Sequence, residues 1–434
     1  MLWLLTACTS DPDPVPADEA ARTVVVVIGC TVRADRLPAY GNPSAKTPYL
    51  DQLVAGGTTF EHTLSNAPWT RPGIAALTTG LYPSALGIDD EGVEMNNNRG
   101  LHPDVLTLAE RFQDAGWATV GGTANPNANE VFGMTQGFDD YFEGSGLWRE
   151  KESDKVEGHV IVREVMSRAK KQAGDLYLQM VVVDTHKPLN LPAWFPAQFK
   201  LTHGVRPTPS DRYDATLPRL DDVLQQLDDE LKRMGRNDRT LVLIGDHGEG
   251  LENPEWALRS HGRRLYDANL HVPWVMNGPG IQEGHRVSGL SESVDLVPTL
   301  VELYDLEPGT LHGDSRVPQL QGSSETGEAM VFSETWFAQE HHARITTPEW
   351  TYIRNYATTD RGGPDRGEHE IYAATDRRQA VPLKAQDAKV AMDRLEVQLE
   401  ELRAEVGEDP LIWEGEELTD ELQKQLEGLG YIED

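Results

Sequence analysis

Six consecutive β-branched residues, Thr23-Val24-Val25-Val26-Val27-Ile28, restrict this chain more than any other feature in it. A strand wetted on one face alternates apolar with polar residues. An unbroken run belongs to a strand covered on both faces, as in a parallel sheet flanked by helices. Leu176 to Val183 and Thr240 to Ile244 repeat the pattern. Helical patterns lie between these runs. One spans Val105 to Ala115 and is stopped by Gly116. Another spans Leu217 to Met234, where Leu220, Val223, Leu224, Leu227 and Leu231 form one apolar face before Gly235. Strand alternating with helix predicts an α/β fold, a central and mostly parallel sheet sandwiched by helices. Ligands of such sheets bind beyond the carboxyl ends of the strands. The residues that follow each run are therefore the ones to read for chemistry.

Those residues are polar. The first run leads into Gly29-Cys30-Thr31-Val32-Arg33-Ala34-Asp35, the second into Asp184-Thr185-His186-Lys187-Pro188, and the third into Gly245-Asp246-His247-Gly248-Glu249. An Asp-His pair at a strand end can form a metal corner, because a carboxylate and an imidazole can both point out of the sheet edge. The same Asp-His-Gly sequence also makes an ordinary turn. Charge narrows the partners. The chain holds 39 Lys and Arg against 71 Asp and Glu, a net charge of −32. No nucleic-acid partner is expected of such a surface, since phosphate binding releases counterions to Lys and Arg. The same balance opposes a polybasic membrane patch. With only 2 Cys there is no disulfide framework, and no stretch is long and apolar enough to span a bilayer.

Several segments, taken in order, resemble the sulfatase family of the alkaline phosphatase superfamily. Val27 to Leu37 resembles the family's first strand and its Asp-Thr-Leu-Arg-Ala-Asp continuation. Thr47-Pro48-Tyr49-Leu50-Asp51 resembles the Thr-Pro-Asn-Leu-Asp stretch that follows, and Pro68 to Ser84 the nucleophile helix. Gly133 to Tyr141, Tyr213-Asp214, Asp246 to Glu249, His261-Gly262 with Leu265-Tyr266-Asp267, and Val294 to Leu300 fall in family order. The resemblance implies the alkaline phosphatase-like sulfatase fold with a small C-terminal α+β subdomain. It implies hydrolysis of an anionic ester with a divalent cation, usually Ca²⁺. It also implies a Cys or Ser, in a Cys/Ser-x-Pro-x-Arg segment, that is converted to formylglycine.

Three departures fall at the chemistry, which marks the chain as a divergent member. Cys30 stands where the family has its first metal carboxylate. Calcium wants several hard oxygens, so Cys30 with Asp246 and His247 suits a softer ion such as Zn²⁺. Alternatively, Cys30 is a small buried filler where no metal binds. Thr70 stands at the nucleophile position, so no formylglycine is expected, and the hydroxyl itself is the candidate nucleophile. Thr70 also fits a plain helix N-cap. Ile74 stands where the family has Arg or His and cannot replace it; Arg71 nearby can supply charge or be a surface residue. Within the resemblance, His186 and His261 are the candidate acids or anion holders, Lys187 a partner for the anion, and Asn125 a substrate contact. Asp35 reads as a structural hydrogen-bond partner.

The ends carry other signals. Leu5-Thr6-Ala7-Cys8 resembles a bacterial lipobox, and Asp11 to Glu19 is a Pro-rich acidic stretch suited to a solvated spacer. Residues 1–22 are therefore read as a lipoprotein-type signal and linker, placing the protein in the bacterial cell envelope, lipid-anchored or periplasmic or extracellular, with any membrane contact through a lipid anchor only. Residues 23–330 form the sulfatase-like domain and 331–434 a C-terminal subdomain. In that subdomain Ser333-Glu334, Arg344-Ile345 and Trp350 to Ile353 predict short antiparallel strands. Met392, Leu395, Leu399, Leu402 and Val406 predict a helix with one apolar stripe. Two functions stay open: a metal-assisted hydrolase of sulfate or phosphate esters with Thr70 at the nucleophile position, and a catalytically degenerate binding or scaffold lipoprotein on the same fold.

Overall fold

The computed structural model describes residues 21–428 apart from 89–98, 145–154, 190, 252–260, 325–326, 328, 359–366, 378, 380–381, 408–409 and 416–417. The lipobox-like segment and the Pro-rich stretch lie outside the described residues. Eight strands form the main sheet: β1 (Thr23–Gly29), β2 (Thr58–Leu64), β3 (Ala118–Thr123), β4 (Asp140–Glu143), β5 (Leu176–Val182), β6 (Arg239–Gly245), β7 (His271–Asn277) and β8 (His285–Glu292). Their order is β4-β3-β5-β1-β6-β7-β2-β8. All neighbours are parallel except β7, which runs antiparallel to β6 and to β2. The sheet is thus α/β and mostly parallel, as the three apolar runs require.

The β-branched run has the burial that its pattern demands. Val24, Val26 and Ile28 face one apolar cluster, with Phe112, Tyr177 and Trp274. Val25 and Val27 face the other, with Leu178, Leu220 and Leu243. Every residue of β1 is buried, so a polar residue anywhere along it would lose its water without gaining a partner. The helix Leu217–Arg233 buries the whole predicted face, Leu220, Val223, Leu224, Leu227 and Leu231. The helix expected from Val105 is shorter, Leu108–Asp114. Thr107 and Glu110 form a reciprocal capping box, with Thr107 Oγ1 accepting from the Glu110 amide at 3.1 Å and Glu110 Oε2 from the Thr107 amide at 2.8 Å. That pair fixes the first turn at Leu108.

The C-terminal strands are β9 (Val331–Phe337), β10 (Glu340–Thr346), β11 (Trp350–Ala357) and β12 (His369–Ala373), an antiparallel sheet ordered β12-β11-β10-β9. The helix Ala385–Val406 packs on it through Leu395, Leu399 and Val406. Among the described residues no helix is long and apolar enough to cross a membrane.

Glu292, the last residue of β8, ties the two sheets together. Its carboxyl oxygens accept from Tyr82 Oη at 2.7 Å, Asn66 Nδ2 at 2.8 Å and the Phe332 amide at 3.2 Å. Burial, and after it the nearby Asp295 carboxylate, push the Glu292 carboxyl from 4.5 up to about 8. A group whose pKa is raised on folding adds stability below its unfolded value and loses it as the pH rises through the folded value. Glu292 therefore contributes a fall in stability between pH 4.5 and about 8. Melting temperatures measured across that window should show this slope in the parent chain, and Glu292→Gln should flatten it.

Candidate active site at the strand ends

Parallel register brings the site together. Gly29 at the end of β1 pairs with Val182 of β5 on one side and Gly245 of β6 on the other, so the three polar continuations start at one level. Cys30 follows β1, His186 follows β5, and Asp246 and His247 follow β6. Thr31 then takes a left-handed backbone, φ 61°, which is strained for a β-branched residue. The turn points its amide at Asp246 Oδ1, 3.0 Å away, and the His247 amide reaches the same oxygen at 2.6 Å. Two amides thus hold Oδ1. The other oxygen, Oδ2, is buried without a hydrogen-bond partner of ordinary geometry among the described residues.

The hydroxyl comes from the helix Thr70–Thr79. Its N-cap is Trp69, and Thr70 is its first helical residue. The simple cap expected of Thr70 is therefore corrected: the preceding residue occupies the cap position, and the Thr70 side chain turns to the strand ends. Its Oγ1 lies 3.1 Å from His247 Nε2 and 3.5 Å from Cys30 Sγ. Asn125, just beyond β3, places Nδ2 3.3 Å from Cys30 Sγ and 3.4 Å from Thr70 Oγ1. Cys30, Thr70, Asn125, Asp246 and His247 are all fully buried.

Electrostatics assign the protons. His247 Nδ1 lies 2.7 Å from the Gly248 carbonyl. A carbonyl only accepts, so Nδ1 carries the proton and Nε2 presents a lone pair to Thr70. Burial, only partly offset by Asp246, lowers the His247 pKa to about 4 and keeps the ring neutral. Burial and then the Asp246 charge push the Cys30 thiol well above its usual value. Cys30, Asp246 and His247 each offer a donor atom, and these atoms all lie within 4.8 Å of one another. The set fits a divalent cation: a buried carboxylate oxygen that no amide holds, an unprotonated imidazole nitrogen facing the Thr70 hydroxyl, and a thiol that a cation would ionise. One sulfur, one nitrogen and one oxygen match a borderline-soft ion far better than calcium.

A second layer carries the remaining histidines. The His261 ring centroid is 4.6 Å from that of His247 and 5.1 Å from that of His186. Burial and then the neighbouring His261 hold the His186 pKa well below its ordinary value. Glu249 sits between His261 Nδ1 at 3.5 Å and Lys187 Nζ at 3.3 Å. Burial opposes its ionisation, but His261, Lys187 and His186 outweigh burial and hold it down at about 2. Lys187 thus has a carboxylate partner. Arg71 is buried, not a surface residue: it donates to Asn127 Oδ1 at 3.2 Å and to the Arg99 carbonyl at 3.1 Å, and lies over Phe132 at 3.8 Å. Ile74 joins the apolar core with Phe132 and Leu108. Asp35 pairs with Arg33 through two hydrogen bonds of 2.9 and 2.7 Å.

Sequence reasoning missed Lys155. Its ammonium is buried and donates to the carbonyls of Val183 at 2.6 Å, Asp184 at 3.3 Å, and His186. It clamps the turn that carries His186. In the sequence it ends the charged stretch Lys151-Glu152-Ser153-Asp154-Lys155, which reads as solvated surface, so no local signal marks it. Thr31 and Thr185 support the same corner: both hydroxyls donate to the Cys30 carbonyl at 2.6 Å.

A hydroxyl at a helix start thus faces an Asp-His strand end on a mostly parallel α/β sheet. The chain belongs to the sulfatase family, whose model matches residues 22–306. It is 28% identical to mouse (Mus musculus) arylsulfatase K over 153 residues, 32% of this chain and 27% of that protein. It is 23% identical to an ulvan-active sulfatase of Formosa agariphila over 392 residues, 80% of this chain and 61% of that protein. The arylsulfatase K match thus spans about a quarter of that relative's length. The phosphonate monoester hydrolase of Agrobacterium radiobacter superposes with a TM-score of 0.68 at 18% identity, covering 89% of this chain and 96% of that one. A protein solved with its substrate D-glucosamine-2-N,6-O-disulfate gives 0.70 at 16% identity, covering 90% and 99%. Those structures share the fold.

Lys155→Met should leave three backbone carbonyls without their donor and Asp184 without its cation. The expected loss is about 1–3 kcal/mol, measured as a lower urea midpoint, with Lys155→Arg failing to restore it.

Proposed function

We propose that this protein hydrolyses an anionic ester, sulfate or phosphate, with the Thr70 hydroxyl as nucleophile. One observation carries the reading: Thr70 Oγ1 stands 3.1 Å from His247 Nε2, and the other nitrogen of that ring is fixed on the Gly248 carbonyl. A hydroxyl, a base and a group that orients the base form the minimum of an activated nucleophile. Thr70 Oγ forms a bond to the central sulfur or phosphorus, its proton passes to His247 Nε2, and the bond to the leaving oxygen breaks. That proton passes from His247 to the leaving oxygen through the neighbouring rings of His261 and His186. Water then cleaves the Thr70 ester, its oxygen joining the sulfur or phosphorus and one of its protons returning to Thr70 Oγ. Asn125 Nδ2 is our candidate donor for an ester oxygen; Lys187, held by Glu249, and Arg71, held by Asn127 and the Arg99 carbonyl, are our candidate cations for the anion.

Asp246, His247 and Cys30 would hold a divalent cation, which when bound offsets the charge of the ester oxygens and acidifies a nearby hydroxyl. The lone pair of His247 Nε2 serves either the Thr70 proton or the cation, so the metal content of the resting protein decides between the two uses. We favour zinc over calcium on the donor set, and the bacterial cell envelope with a lipid anchor at Cys8 on the lipobox-like start. The non-catalytic reading draws on a different observation, the complete burial of Thr70, Asp246 and His247.

Turnover of p-nitrophenyl sulfate or bis(p-nitrophenyl) phosphate should fall about a thousandfold in Thr70→Ala and stay within about tenfold in Thr70→Ser. Elemental analysis assigns that lone pair: one zinc per chain, lost in Asp246→Ala, gives Nε2 to the cation, whereas an active metal-free protein gives it to the Thr70 proton. A metal-free protein inert on both esters supports the non-catalytic reading instead.

A further inference from the structure

Two helices leave large apolar side chains in water, and the charges beside them are opposite. The helix Phe195–His203 buries none of its residues. Trp194 at its start is 64% exposed, Leu201 82%, and Val205 just beyond it 60%. No Asp or Glu occurs from Thr185 to Ser210, while Lys200 and Arg206 lie next to the apolar residues and are exposed. The second helix is Ala385–Val406. It packs on the small sheet through Leu395, Leu399 and Val406, and turns Val390, 85% exposed, and Val397, 55% exposed, to the outside. Six of its residues are acidic and three are basic.

The two faces match in spacing as well as in charge. Trp194 and Leu201 are seven positions apart, and so are Val390 and Val397. Seven residues make about two helical turns, so each pair forms a stripe of the same length. Glu400 is paired with Arg403 at 3.6 Å. Among the described residues, Glu401 and Glu405 have no cation at ion-pair distance, and Lys200 and Arg206 have no carboxylate there. With Trp194 set level with Val390 and Leu201 with Val397, the two cations fall toward the end of the second helix that carries these two acids. Within one chain both stripes stay exposed, so the match can be used only between copies.

We infer that these stripes are the two halves of one contact between copies of this chain: the segment Trp194–Arg206 of one copy docks on the outer face of the helix Ala385–Val406 of a second. Charge complementarity selects the occupant. A second copy supplies in one element both what the segment lacks, acids for Lys200 and Arg206, and what it exposes, apolar side chains at the same interval. The net charge of −32 on each copy opposes approach at long range, but physiological salt screens charges beyond about 8 Å, and inside that distance the local charges decide. The contact joins two different faces, so two copies engage reciprocally about a two-fold axis or copies add head to tail. Two short helices cover little surface, which places the contact in the weak, transient class. The association does not rest on the catalytic reading.

The test uses the full chain with Cys8→Ser, so that no acyl group can drive clustering. Sedimentation velocity is measured from about 1 µM to about 1 mM, the range of weak contacts, in about 0.15 M salt. The expected result is a sedimentation coefficient that rises with concentration. Leu201→Asp with Val205→Asp, and separately Val390→Asn with Val397→Asn, should each lower the association at least about tenfold. Each variant keeps one face intact, so an equimolar mixture of the two should associate again, and no further than a dimer. Lys200→Glu with Arg206→Glu should also dissociate the parent, and adding Glu401→Lys with Glu405→Lys to that chain should restore association. All of these positions are exposed, and unchanged melting temperatures establish that folding is intact. A parent that stays monomeric throughout overturns the proposal, whether or not it binds phosphatidylglycerol vesicles. So does a mixture of the two variants that stays monomeric or grows past the dimer.

Discussion

The site depends on one constraint, the parallel pairing of β1 between β5 and β6. Because Gly29 is level with both Val182 and Gly245, three loops distant in sequence leave the sheet at the same height. The strands are held in that register by burial of both faces; a slip by one residue would exchange the two apolar sets of β1 and move the loops along the axis. Apolar packing far from the chemistry thus sets distances of about 3 Å at Thr70, Asp246 and His247.

Within that frame, three buried polar groups of the site are held by backbone. Asp246 is held by two amides, and Lys155 by carbonyl oxygens. His247 is directed by a carbonyl. Backbone dipoles cannot drift away as a side chain can, and in a low-dielectric interior each is worth more than in water. The strained turn at Thr31 belongs to the same arrangement, since its left-handed backbone aims an amide at the carboxylate. The departures from the family pattern are consistent with one another. A thiol at Cys30, a hydroxyl at Thr70 and an amide at Asn125 lie in mutual contact, while Ile74 faces the apolar core.

Charge acts on two scales here. A net charge of −32 describes the far field of the chain; at the site, contacts of a few ångströms decide, as where Glu249 lies between His261 and Lys187.

The sequence alone determined the α/β architecture, because an unbroken β-branched run admits few environments and the periodicity of Leu217 to Leu231 admits one face. It also determined which loops to inspect, since parallel strands put their carboxyl ends on one edge. Family order marked Thr70, Asp246 and His247 as neighbours. Only the tertiary structure decided that Thr70 begins its helix after Trp69 and turns its hydroxyl to an imidazole, that Arg71 is enclosed by Asn127 and Phe132, and that Lys155 clamps the His186 turn. Local pattern reports whether a side chain faces core or water; it carries no record of which distant atoms meet it. Those contacts arise where residues far apart in the chain are packed together, and packing is a property of the assembled fold.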